Sequence, residues 1–274
     1  MKLSISQLTT LRWSIEEDVV AYRKHGFSAI GLWRPKLDEL SIEETSVLLS
    51  SHGMKVSSLS WAGGFTGSDG RAHDEAVEDA IEAVRMASAL NAETLIVLAG
   101  GHNNHIRGHA IRLLKYALEA IHEAASETAV AVAIEPIHPG CGDEWSFLGD
   151  LKLTMEVLDS VPRADIGLVL DAYHLAINAN DAADLRWLES ISSDIRLVQL
   201  GDARHTPLGE QNRCLLGDGR LPLEELIALL EQSGYDGYYE VELLGEDVEP
   251  MPYDEVLLHT RHYFERLLAL GNQQ

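Results

Sequence analysis

The sequence predicts an α/β fold of the closed (β/α)8 barrel type, laid out as a single domain over residues 1–274. Three observations carry this expectation. Eight short aliphatic or β-branched runs alternate strictly with eight longer stretches of helical periodicity. The chain has 274 residues, close to the ~250 of one such barrel. No glycine-rich dinucleotide fingerprint follows the first run, which disfavours the open doubly wound sheet.

The elements follow in order. A strand at 2–6 ("KLSIS") precedes a helical pattern over 15–25, and a second strand at 28–33 precedes one over 38–52. The third strand, 55–61, leads to the clearest helix, 72–90. Its segment "HDEAVEDAIEAVRMASAL" places acids early and its arginine late, matching the helix dipole. Further strand and helix pairs fall at 94–99 and 106–127, 130–135 and 147–160, and 166–171 and 181–191. The last two pairs are 195–200 with 222–233, and 237–243 with 253–270. "GFSA" and "GYDG" each set a glycine at a helix-to-strand turn, where a C-cap needs positive φ. Strict alternation calls for parallel pairing. No linker, low-complexity tract or short-period repeat divides the chain.

Composition narrows the function. Hydrophobic residues make up 46% of the chain, enough for a full core. The balance of 21 basic against 44 acidic residues leaves a net charge of −23. Such a chain repels a phosphate backbone unless a basic face is concentrated somewhere, and none is visible. Nucleic acid is therefore disfavoured, and a small neutral or weakly charged molecule is the expected partner. No run approaches the roughly 18 apolar residues of a membrane span, and no basic-plus-apolar leader opens the chain. Cys141 and Cys214 make no disulfide framework, so a cytoplasmic location is expected and neither receives a role.

In a (β/α)8 barrel the active site lies at the C-terminal ends of the strands. The fifth strand ends "VAIEPIHP", giving Glu135; the sixth ends "LVLDAYH", giving Asp171 and His174. The seventh, "RLVQLGDARH", gives Gln199 and Asp202, and the eighth, "YYEVELLG", gives Glu240 and Glu242. Four consecutive strands thus send oxygen donors to one rim. Carboxylates gathered there would repel one another or take up protons, and a divalent cation removes the conflict. Carboxylates merely scattered on loops are the competing reading. Asp171 could also simply cap the next segment, and His174 could be a surface histidine.

"IEPIHP", "LDAYH", "VQLGDA", "LGDGRLPLEELIALLEQSGYDGYYEVEL" and the early "GFSAIGLW" together resemble the sugar phosphate isomerase/epimerase family. This is the xylose-isomerase-like TIM barrel superfamily, related to endonuclease IV. The resemblance runs from about residue 2 to 270 and is strongest in the second half. It implies one divalent ion held by Glu135, Asp171, Gln199 and Glu242, with Glu135 and Glu242 doubling as the acid/base pair. His174 would touch substrate oxygens, the favoured role, or a second metal, or carry a proton. Glu242 is preferred over Glu240 because the family's glutamate closes the "YDG" strand; Glu240 would face the same side, one layer deeper. Gln199 departs from the histidine of many members. A neutral, harder ligand moves the preference towards Mn²⁺ or Mg²⁺, with Co²⁺ or Zn²⁺ possible.

Other residues are weighed beside blander roles. Trp33, Arg34 and Trp61 follow the second and third strands, where tryptophan either packs or walls a sugar ring. Arg34 and Arg213 could bind an anionic group or stay solvated. His102, in "GGHNNHIRGH", and His138, in "IEPIHP", are further candidates for the mouth, as is His205, which could equally be an exposed loop histidine. His105 and His109 stand at one-turn spacing without the "HExxH" glutamate. Asp202 reads as a turn residue, and "GFTGSDG" (64–70) as a lid by composition.

The activity expected is a metal-dependent isomerisation or epimerisation of a ketose, inosose or related hydroxy-ketone. It would proceed by proton abstraction through a metal-stabilised enediolate. A dehydratase of the 3-dehydroshikimate type is the alternative that Gln199 keeps open. A non-catalytic sugar-binding barrel and an abasic-site endonuclease stand further back. A homo-oligomer is suggested by resemblance alone.

Overall fold

The computed structural model describes residues 1–142, 144–161, 166–175 and 187–271. Eight parallel strands close on themselves in chain order. They are β1 (Lys2–Ser6), β2 (Ala29–Trp33), β3 (Lys55–Gly63), β4 (Ala92–Leu98), β5 (Ala131–Ile134), β6 (Ile166–Asp171), β7 (Ile195–Leu200) and β8 (Tyr238–Val241). Closure is completed by β1 pairing with β8, Ser4 opposite Glu240. The expected (β/α)8 barrel is the observed one.

Around the strands run α1 (Ile15–Lys24), α2 (Ile42–Ser51), α3 (His73–Ala89), α4 (Arg107–Ala125) and α5 (Leu151–Leu158). A short α6 (Ala172–Leu175), α7 (Leu223–Gln232) and α8 (Tyr253–Gly271) follow. The helix expected over 181–191 lies mostly outside the described residues; 187–190 is helical. No helix among the described residues is long and apolar enough to cross a membrane.

Local signals set the helix starts. Ser14 with Glu17 and Ser41 with Glu44 each form a reciprocal capping box. The second delays α2 to residue 42, behind a 3-10 turn that carries Pro35, so the expected start at 38 is four residues early. Gly26 and Gly234, from "GFSA" and "GYDG", adopt φ of +83° and +81° at the ends of α1 and α7.

Side-chain alternation along the strands builds two cores. Ile166, Leu168 and Leu170 of β6 face the helices in the main core. Val169 joins Ala29, Ile96, Ala133, Leu197 and Tyr238 in a separate layer filling the barrel interior. Two residues further along the same strand faces come Glu135, Asp171, Gln199 and, after Glu240, Glu242. The period of two that makes the apolar plug therefore delivers four oxygen-bearing side chains just above it.

Candidate active site

Asp171 ends β6 fully buried, and its two oxygens have separate partners. Oδ1 accepts from the backbone N–H groups of Tyr173 (2.7 Å) and His174 (3.4 Å), capping α6. Oδ2 accepts from Arg213 Nη2 at 2.8 Å. Capping and an ion pair with Arg213 thus coexist in one carboxylate. Its register partner on β7 is Gln199, whose Nε2 donates to Glu240 Oε1 (3.2 Å) and Glu242 Oε2 (3.0 Å). Gln199 Oε1 is buried and has no partner among the described residues.

Glu242 follows β8 and extends its ladder, its N–H donating to Leu200 O. Ser6 Oγ donates to Glu242 Oε2 at 3.1 Å, and Arg213 Nη2 lies 3.0 Å from Oε1. Burial pushes this carboxyl up to about 7, Arg213 pulling it down and Asp171 raising it. Glu135, just past β5, is held well above the usual carboxylate range by burial and by the charges of Asp171 and Glu242. His174 is buried too, so the surface-histidine reading fails. Its Nε2 stands 4.0 Å from both Glu135 Oε1 and Asp171 Oδ2, and burial drops its pKa to about 4. The ring is neutral near pH 7.

Three carboxyls face one guanidinium at low exposure, a crowding that either proton uptake or a cation relieves. Glu135, Asp171 and His174 present ligand-capable atoms within 4.8 Å of one another. The grouped donors are two carboxylates and an imidazole nitrogen, with the Glu242 carboxyl and a Gln199 amide oxygen that has no partner among the described residues on the same cavity floor. That set fits a divalent cation.

Glu135, His174, Gln199 and Glu242 form the floor of a cavity of about 1320 Å³, with Asp171 and Arg213 buried behind them. Trp61 near the end of β3 and the loops after β5, β7 and β8 make its walls. Trp61 meets Trp145 edge-to-face at 5.5 Å, giving one apolar side. His205 is exposed and borders the same cavity.

Other expected mouth residues face elsewhere. Arg34 is held bidentately by Asp79 (2.6 and 3.0 Å) and donates to Trp61 O, so it is committed to the scaffold. Trp33 is half-buried outside the cavity lining, its backbone N–H bonded to Gln7 Oε1. His102 is exposed, its ring packed on Phe147 rather than on the mouth. His138 is half-buried and accepts from Gly140 N–H at 3.0 Å, again outside the lining. Arg213 is neither solvated nor at the rim; it is fully buried between Asp171 and Glu242, over the Tyr173 ring.

His105 precedes α4 and His109 lies in its first turn, yet their rings sit together at 4.8 Å, away from the cavity lining. Segment 64–70 is tied down by Thr66, which donates to Gly101 O and accepts from Asn103; it adds nothing to the cavity lining. Asp202 is the expected turn residue, accepting from the N–H groups of Ala203, Gly217, Gly219 and Leu221. Trp145 and Tyr173, both lining the cavity, were not singled out from the sequence. The place of Tyr173 inside "LDAYH" was the available signal.

Residues 19–263 match the family described as "Xylose isomerase-like TIM barrel". An inosose isomerase of Halalkalibacterium halodurans is 25% identical over 268 residues, covering 94% of this chain and 93% of the relative. A crystal structure of a Sinorhizobium meliloti protein superposes with TM-score 0.83 at 24% identity, over 97% of this chain and 98% of that one. The IolI protein with a bound zinc atom superposes with TM-score 0.82 at 18% identity, over 98% of each chain. These two likenesses speak to the fold alone.

Proposed function

Because this chain belongs to the xylose isomerase-like TIM barrel family, we propose that it is a divalent-metal-dependent sugar isomerase or epimerase. Its substrate in this reading is an uncharged ketose, inosose or similar hydroxy-ketone. The observation that carries the reading is the placement of Glu135, Gln199 and Glu242 on the floor of a large cavity at one mouth of the barrel, with Asp171 buried directly behind them. The inosose isomerase likeness supports it.

Those four residues would hold a divalent ion, which would supply Lewis-acid stabilisation for the negative charge developing on a substrate carbonyl oxygen. The hard donor set favours Mn²⁺ or Mg²⁺ over Co²⁺ or Zn²⁺. Glu135 and Glu242 enter from strands three places apart, so they reach a bound substrate from two sides. One withdraws the proton beside the carbonyl and the other returns one, giving epimerisation at the same carbon or isomerisation at its neighbour. Neutral His174 can donate to, or accept from, a substrate hydroxyl without adding charge. Trp61 and Trp145 cover the carbon face and exclude water.

Charge balance favours a neutral substrate. Arg204, on the cavity wall, is paired with Asp247 at 2.7 Å, and Arg213 behind it with Asp171 and Glu242. Glu144, Glu210, Glu246 and Glu249 add negative charge around the cavity. Among the described residues lining it, no guanidinium or ammonium is left uncommitted for a phosphate or carboxylate. That weighs against the dehydroshikimate-type dehydratase, whose substrate is an acid.

The test is deuterium incorporation from heavy water into a panel of ketoses and inososes, each with a phosphorylated counterpart, plus dehydroshikimate. Labelling of a neutral member, abolished by a chelator, is the expected result. Binding without exchange would mean a sugar-binding barrel, and an absorbing conjugated enone from dehydroshikimate would mean a lyase.

A further inference from the structure

Below the mouth lies a carboxylate that the proton transfers do not use. Glu240 is fully buried on β8, two residues before Glu242. Its Oε2 accepts from Ser57 Oγ (2.6 Å), Ser58 Oγ (2.7 Å) and Ser4 Oγ (3.3 Å), and its Oε1 from Gln199 Nε2 (3.2 Å). Ser4, Glu240 and Gln199 are register partners on three adjacent strands.

Two local devices make the room. Residue 31 is glycine, and a Cβ there would collide with the Glu240 carboxylate. The β2–β3 register shifts so that Ile30 pairs with Val56 and Gly31 with Ser58, leaving Ser57 unpaired. This bulge aims two consecutive hydroxyls at one carboxylate, which regular alternation along a strand would forbid.

The arrangement decides how Gln199 sits. An amide oxygen facing Glu240 Oε1 and Glu242 Oε2 would be repelled by both, so the NH₂ group takes that side and donates to each. Both amide hydrogens are then used, and Oε1 is left buried with no partner among the described residues. We propose that Glu240 is a positioning residue that locks the Gln199 amide with its oxygen free, making that oxygen the ligand β7 offers to a divalent ion. The inference rests on the metal reading above. Glu240 also attracts a cation directly through its charge, and a coupling measurement separates the two effects.

The experiment is Mn²⁺ titration calorimetry on the full chain as wild type, Glu240→Gln, Gln199→Ala and the double variant. Glu240→Gln is expected to weaken binding about 10- to 100-fold when Gln199 is present. With alanine at 199 no amide remains to orient, and the same change should cost no more than about 2- to 3-fold. Equal losses in both backgrounds would mean that Glu240 acts by charge or structure alone, and would overturn the proposal, as would unchanged affinity in Glu240→Gln. Should Glu240→Gln fail to fold, Ser57→Ala with Ser58→Ala removes two donors and leaves Glu240 in place. A weakening seen only with Gln199 present supports the proposal; an equal loss in both backgrounds, or none, overturns it. A wild type that binds none of Mn²⁺, Mg²⁺, Co²⁺ and Zn²⁺ overturns the metal reading and this inference together. Wild-type binding with an additive cycle overturns the inference alone.

Discussion

Arg213 Nη2 donates to Asp171 Oδ2 at 2.8 Å, and neither side chain reaches solvent. The same nitrogen lies 3.0 Å from Glu242 Oε1, so one guanidinium balances two of the carboxylates assigned to the ion. Arg213→Met keeps much of the stem and removes the charge. Breaking a buried pair from one side typically costs about 3–5 kcal/mol, because the remaining charge is uncompensated. We expect that loss in denaturant unfolding with EDTA present. Saturating Mn²⁺ should then recover more stability in the variant than it adds to the wild type. Wild-type stability in EDTA would show that the pair carries no net structural weight.

Glu242→Gln preserves volume and removes the carboxyl to which the proposed mechanism gives a proton transfer. Loss of a positioned acid/base group typically slows turnover about 10²- to 10⁴-fold. Exchange of substrate hydrogen with heavy water should fall by that amount, while near-ultraviolet circular dichroism stays that of the wild type. Exchange at the wild-type rate would remove Glu242 from the proton-transfer role.

The barrel and the strand-end donors are legible in the sequence because both follow from local rules. Periodicity marks each strand, and the residue two beyond an interior apolar position shares its face, as with Val169 and Asp171. The partner of a long side chain follows no such rule. Arg34 finds Asp79 at 45 positions' separation and Arg213 finds Asp171 at 42, and nothing in either segment announces the contact. His102 lies in an irregular loop, where no period fixes the direction of a side chain. The orphaned oxygen of Gln199 depends on carboxylates three and five residues past Gly237, and on a bulge in β3.

Gln199→His exchanges a hard neutral oxygen for an imidazole nitrogen at the β7 position. Nitrogen donors favour zinc over manganese and magnesium. Competition titrations of the purified chain should therefore show the ratio of Zn²⁺ to Mn²⁺ affinity rising in the variant. An unchanged ratio would mean that residue 199 is not a ligand.

Away from the mouth, Asp18 and Lys36 form a buried pair at 2.8 Å between α1 and the turn after β2. Gln7 Nε2 and Thr10 Oγ1 also donate to the Asp18 carboxylate. Burial pushes Asp18 from 3.8 up to about 6, with Lys36 opposing the rise. Between those values the folded chain holds a proton that the unfolded chain has released. The resulting stabilisation is fully present below pH 3.8 and is lost as pH rises through about 6, at most about 3 kcal/mol. Asp18→Asn cannot titrate, so the stability of the wild type minus that of the variant should decline from pH 4 to pH 7. Lys36→Met tests the charged form: at pH 7 it leaves Asp18 buried and unpaired, a cost of about 3–5 kcal/mol. That cost should shrink as acid neutralises the carboxyl. Equal losses at pH 5 and pH 7 would show that the Lys36 charge does not act through Asp18.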